Sequence, residues 1–189
     1  MKLWTIQKAE LWEKIKDSRV YRPTFSSIPK YDNLMTNGYR WLAEKMRKNI
    51  GKPKKKNAAP VWAWDKKPDL RSRRDYLAEG QKGVRIGFEM PNDQVAITNF
   101  DGWHNVINYW YLGDCEEKEG FSKEIAKHGL CYYKQKPLPI KIYHDRLVKS
   151  WDRVFDLEWN KKVFECDDRQ ATCWELPIEN IFDVREFVA

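Results

Sequence analysis

The sequence predicts an α+β fold: a single domain over residues 1–189 around a mixed or antiparallel sheet, open to being split, with two helices early in the chain. Three observations point there. Short alternating or apolar runs of the kind that form strands recur from Leu3 to Val188. Runs with helical spacing are clearest between Lys8 and Asn49. A chain of 189 residues is the size of one domain and short for two well-buried cores, and its ten Trp, from Trp4 to Trp174, carry one core to both ends.

Leu3–Gln7 alternates apolar and polar residues and makes a short strand. Lys8–Arg19 puts Ala9, Leu11, Trp12 and Ile15 at helical spacing. Val20–Ile28, broken by Pro23, is strand or extended loop. Asp32 or Asn33 caps a second helix that runs to about Asn49, with Leu34, Met35, Tyr39, Trp41, Leu42, Met46 and Ile50 as its stripe. Gly38 inside it costs about 1 kcal/mol relative to Ala and suits a close contact. The run 51–60 (GKPKKKNAAP) is a basic loop rich in breakers. Val61–Trp64 is a short apolar strand, and 65–83 is polar loop with a helical turn. Val84–Met90 and Gln94–Phe100 are strands across a Pro91-Asn92-Asp93 turn. Asp101 caps a helix that starts near Trp103 and carries Val106, Ile107 and Trp110. Residues 113–137 are weakly periodic, and 140–150 fit helix and strand equally. Trp151–Leu157 is a short helix or turn; Ala171–Leu176 and Ile181–Val188 are strands with Pro177 between them.

The net charge is +7, and its distribution says more than its total. Residues 45–74 hold twelve basic side chains against Asp65 and Asp69, a balance of +10 that leaves −3 for the rest. Such asymmetry is the footprint of a polyanion binder, or of a solvated basic loop with no partner. No stretch approaches the ~20 apolar residues of a membrane span. The N-terminus lacks the apolar segment and cleavage site of a secretory signal, so the expected setting is cytoplasmic with no membrane partner. Cys115, Cys131, Cys166 and Cys173 form no CxxC, and the chain has three His. Free thiols are then expected, and a zinc site is not. The P-loop, GxGxxG, HExxH and GxSxG patterns do not occur, which argues against the enzyme classes they serve.

LWTIQ, NGYRWLAEKM, PVWAW, GVRIGFEMP with VAITNFDGWHNVIN, and QATCWELPIENI together resemble, in this order along the whole chain, a bacterial family known as domain of unknown function 3841. That family implies no activity. A second resemblance is narrower. The opening strand LWTIQ, a helix, an extended Ser-bearing segment and a second helix are similar to the first half of ADP-ribosyltransferase domains, the DarT-type enzymes that modify DNA included. That resemblance implies NAD as cofactor and a late strand, here WELPIENI, carrying a catalytic Glu at Glu175. Such a carboxylate would stabilise and orient an oxocarbenium-like state. It further implies Gln170 as ribose contact, Thr5 and Gln7 at the cleft edge, Tyr39 as nicotinamide stack, and Arg40 or Arg47 on the pyrophosphate. Two residues ahead of Glu175, where many such enzymes carry Gln or Glu, this chain has Cys173.

The expected function on this reading is an ADP-ribosyltransferase-like protein that modifies nucleic acid or protein. Two alternatives stand beside it. Lys52, Lys54, Lys55, Lys56, Arg71, Arg73 and Arg74, interleaved with Trp62, Trp64 and Tyr76, suit a non-enzymatic binder of single-stranded nucleic acid. The same charge suits an interaction module of a bacterium or phage that covers an acidic protein surface. Each residue also has a plain structural reading. Glu175 fits a surface ion pair, Tyr39 and Trp41 cannot share one helix face, so one of them belongs to the core, and His104 fits a hydrogen-bonding place near a helix start.

Overall fold

The structure, a computed structural model, describes residues 1–26, 33–71 and 77–189. It is α+β, with an antiparallel arrangement of strands and six α-helices among the described residues. The chain gathers into two compact units. One comprises Met1–Pro29, Ala43–Ile97 and Arg169–Ala189, the other Lys30–Leu42 and Thr98–Asp168.

The first unit is built on β1 (Lys2–Lys8). It pairs antiparallel with β4 (Lys82–Glu89) along its length, Thr5 opposite Ile86, and with β3 (Val61–Trp64), Trp4 opposite Trp64. β6 (Arg169–Cys173) pairs antiparallel with β3, and β8 (Ile181–Val188) with β4. With β5 (Ala96–Asn99) beside β6, the order is β5-β6-β3-β1-β4-β8. Strand side chains alternate between faces, so Leu3, Val61, Ala63, Val84, Ile86, Phe88, Ala171 and Cys173 converge on one side. There α1 (Ala9–Ser18) lays Ile15 on them, with Leu11 and Trp12 alongside. Each large member of this cluster contributes roughly 1.5–3 kcal/mol by leaving water. Arg19 ends α1 in the left-handed region (φ 63), its N–H on the Ile15 carbonyl. The chain then enters β2 (Val20–Tyr21), which pairs with β7 (Leu176–Pro177) as a two-stranded ribbon.

The second unit is helical and aromatic. It takes the N-terminal part of α2 (Asn33–Asn49), then α3 (Phe100–Ile107), α4 (Cys115–Ala126), α5 (Lys141–Ser150), a 3₁₀ segment at Trp151–Phe155, and α6 (Leu157–Phe164). Tyr39 meets Trp103 edge-on at 5.6 Å between ring centres, and Trp41 meets Trp151 likewise at 5.6 Å. The Trp151 indole N–H donates to the Trp110 carbonyl at 2.8 Å. Gly38 sits where a Cβ would come within 3.4 Å of the Ile107 Cα, the close contact its place in the helix predicts.

Three sequence expectations need correction. The helix at 100–107 is capped by Asn99, whose side chain accepts from Gly102 N–H at 2.7 Å, and Asp101 lies in the first turn. The strand expected over 94–100 is shorter, because Asn92–Gln94 turns as 3₁₀ and Phe100 is already helical. The strand expected over 171–176 breaks at Trp174 and Glu175, after which the chain changes sheet. Glu175 therefore stands in a bend between β6 and β7. The Asp32 cap lies outside the described residues.

Candidate anion-binding site

The loop after α2 carries four lysines in five positions, Lys52 and Lys54–Lys56, and like charges so close repel one another. Backbone ties hold it. Gly51 ends the helix at φ +84, open to glycine without Cβ strain, and its carbonyl accepts the Trp174 indole N–H at 2.8 Å. At the far end the Asn57 carbonyl accepts from Phe25 N–H at 3.1 Å, and Ala59 N–H donates to the Pro23 carbonyl at 2.9 Å. The loop is thus laced to the segment after β2 on one side and to the 174–175 bend on the other.

Between them lies a cavity of about 220 Å³. Arg22, Lys52, Lys54 and Lys55 are its cations and Glu175 its one carboxylate; Ile50, Pro53, Ala58, Met90 and Trp174 give it apolar walls, and Gln94 a polar edge. Arg47 lies above the Trp174 ring, 5.8 Å from its centre. Glu175 is held from two directions. Arg22 Nε donates to Oε2 at 2.5 Å and Lys54 Nζ to Oε1 at 2.6 Å. The Glu175 side chain is 12% exposed, Arg22 35% and Lys54 73%. Burial pushes the carboxyl up, but the hydrogen bonds from Lys54 and Arg22 outweigh it and hold it below the ordinary value. It is a charged, paired group. Behind it the Cys173 thiol donates to the Glu175 carbonyl at 3.2 Å, and burial pushes that thiol up to about 12, so it is no nucleophile.

Of the predicted site residues, Glu175, Lys52, Lys54 and Lys55 meet at this cavity, with Arg47 beside it through Trp174 and Lys56 exposed on the same loop. The others lie elsewhere. Thr5 is buried in β1, 2% exposed, and accepts from Gln7 Nε2 at 2.7 Å, so neither Thr5 nor Gln7 forms an edge of the cavity. Gln170 is opposite Trp64 on β6, its buried Oε1 lacking a hydrogen-bond partner. Trp62 and Trp64 are half-buried on β3. Tyr39 and Arg40 belong to the helical unit, Tyr39 packed on Trp103 and Arg40 exposed. Arg71 forks onto Asp69 on the surface. Arg73, Arg74 and Tyr76 lie outside the described residues. His104 Nδ1 bonds the Phe100 carbonyl at 3.0 Å, its plain structural reading.

Nothing in the sequence signals Arg22, a lone cation before a proline. Trp174 adjoins Glu175 along the chain, but no motif singles it out. Among the described residues no three His, Cys, Asp or Glu side chains gather as around a metal ion, the four cysteines form no disulfide, and no helix is long and apolar enough to cross a membrane.

A profile of DUF3841, a domain of unknown function, matches residues 2–182. The chain belongs to the DUF3841 family. No curated protein and no solved structure matches it. What this DUF3841 chain can do at its cavity therefore follows from the cavity itself: it can hold an anion, because four cations face one carboxylate that two of them already neutralise.

Proposed function

We propose that the protein binds the phosphate backbone of single-stranded nucleic acid, with the cavity between the 51–57 loop and the 174–175 bend as its anion site. The observation that carries this is the charge at the cavity: Arg22, Lys52, Lys54 and Lys55 against Glu175 alone. Among the described residues Lys52, Lys55 and Lys56 make no ion pair, so they are available to phosphates. Trp174 offers a base a stacking surface at the same place. The volume, about 220 Å³, falls below the ~300–1,000 Å³ of pockets that enclose a whole small-molecule ligand, which suits one phosphate of a longer strand. Anisotropy of a labelled oligothymidylate, titrated at several salt concentrations, tests the reading. Binding is expected to weaken steeply with salt. Lys52→Glu with Lys55→Glu should weaken it and flatten the log–log slope by about 0.7 for each phosphate no longer neutralised. Salt-independent binding, or none to any single strand, would overturn it.

The ADP-ribosyltransferase reading, with NAD as cofactor, keeps one supporting observation: Glu175 lines a cavity beside an indole. It requires that Glu175→Gln abolish NAD hydrolysis, or label transfer to a nucleic-acid or protein acceptor. An undiminished rate in that variant, or no turnover in the wild type, rules it out. An acidic protein surface would use the same lysines, and a pull-down that survives nuclease treatment would favour it.

A further inference from the structure

We infer that Arg22 and Lys54 form a phosphate subsite which Glu175 of the same chain occupies in the free protein; this rests on the nucleic-acid reading above. The two cations reach the two oxygens of one carboxylate, at 2.5 and 2.6 Å. Arg and Lys bind a pair of phosphate oxygens in the same way, so the carboxylate stands in for a phosphate. Four cations around a cavity of about 220 Å³ repel one another, and an anion among them relieves that repulsion whichever molecule supplies it. Glu175 is the fixed partner: it is 12% exposed, and its carbonyl is tied to the Cys173 thiol. Lys54 is the movable one, 73% exposed on a loop whose ends are anchored, and it can turn to a phosphate while the loop stays in place. Glu175 is then a built-in competitor that sets how tightly the site holds its ligand.

The sign of one substitution separates this from other roles. A catalytic or merely structural Glu175 predicts weaker function in Glu175→Gln. A competitor predicts tighter binding. The glutamine keeps the side chain's size and removes its charge. An opposite or like charge within about 4–6 Å shifts an ionic equilibrium by about one to three powers of ten, so affinity for a labelled oligothymidylate should rise about tenfold or more. The log–log salt slope should steepen by about 0.7–1.4, for one or two cations released to the strand. Wild type that binds, beside a folded Glu175→Gln that binds no tighter, overturns the inference and leaves the nucleic-acid reading standing. No binding by either protein overturns both. Should the variant fail to fold, the wild-type ¹³C carboxyl resonance of Glu175 decides. A shift on adding the oligothymidylate supports displacement, and an unmoved resonance at saturation refutes it.

Discussion

Arg22 and Lys54 hold Glu175 at nearly equal distances, 2.5 and 2.6 Å, yet their removal should differ in cost, because burial decides the worth of an ion pair more than length does. A hydrogen bond to a charged group is worth about 1.5–3 kcal/mol, and an exposed ion pair about 0–1. Arg22 is about one-third exposed and faces a carboxylate that is 12% exposed, so it sits between those limits. Arg22→Met, which keeps the apolar stem, should cost about 1–2 kcal/mol. For a chain of this size that is a fall in Tm of roughly 2–8 °C. Lys54 is 73% exposed, and water replaces it readily, so Lys54→Met should stay within about 0.5 kcal/mol of wild type. Thermal melts followed by circular dichroism measure both. The pH dependence supplies a second check. The folded pKa of Glu175 is depressed, so its stabilisation is present above the unfolded carboxylate value and lost as pH falls through the folded one. The difference between wild type and Arg22→Met should therefore be largest near neutrality and shrink in acid. Equal losses from the two substitutions would refute the argument from burial, and a difference that does not shrink in acid would refute the assignment to Glu175.

Other positions give independent checks. Gly102→Ala in α3 would place a Cβ 2.7 Å from Asn160 Oδ1, an atom of a fully buried side chain, so it should destabilise by about 1–3 kcal/mol despite the better helix propensity of Ala; an unchanged Tm would contradict the packing there. Asn99→Ala removes the cap on Gly102 N–H and should cost about 1 kcal/mol in urea unfolding, and Asn99→Asp should not restore wild-type stability, because the side chain is buried and its Nδ2 faces the Asp168 carbonyl at 3.4 Å. Iodoacetamide on the native protein should modify exposed Cys115 and spare Cys173, whose thiol burial holds at about 12; mass spectrometry that finds Cys173 labelled first would count against its position. Arg153 donates to both oxygens of Glu117 and holds its pKa down, so Arg153→Met should lower Tm near neutral pH and make a smaller difference in acid.

The elements that the sequence revealed are those with one broad apolar face. β1 and β4 alternate in sequence, with Leu3 and with Val84, Ile86 and Phe88 on the side that packs with α1, β3 is a short apolar run, and α1 itself carries Leu11, Trp12 and Ile15 at helical spacing. The helices that it hid show no single apolar stripe of that kind. Among twelve residues of α4 only Phe121 and Ile125 are buried, α5 buries Leu147 and Ser150, and α6 buries Asn160. These segments are fixed by features that periodicity does not register. Asp114 and Glu117 cap α4 reciprocally, and Asn160 Nδ2 donates to the Arg153 and Asp156 carbonyls. The Asp-x-x-Glu spacing at 114–117 was a readable start signal inside a stretch that otherwise lacked pattern.

The candidate site divides along the same line. Its charge was legible, because Lys52, Lys54, Lys55 and Lys56 are neighbours in sequence. Its geometry was not, because Arg22 and Glu175 are 153 residues apart and nothing local marks either as the other's partner. The run Thr172-Cys173-Trp174-Glu175-Leu176 continues as a strand on pattern alone, and what breaks it is tertiary: the Trp174 indole on Gly51 and the Glu175 carboxylate on Arg22 and Lys54. That break changes the meaning of the glutamate. On a continuous strand it would be one exposed carboxylate among many. In the bend it is aimed into the cations that line the cavity, and both its oxygens are spoken for. A carboxylate so engaged keeps its charge at neutral pH and occupies two of the cations that line the cavity, cancelling one of their two charges. On the proposed reading its first effect on a bound anion is competition, and any chemistry proposed for it would have to begin by releasing Lys54.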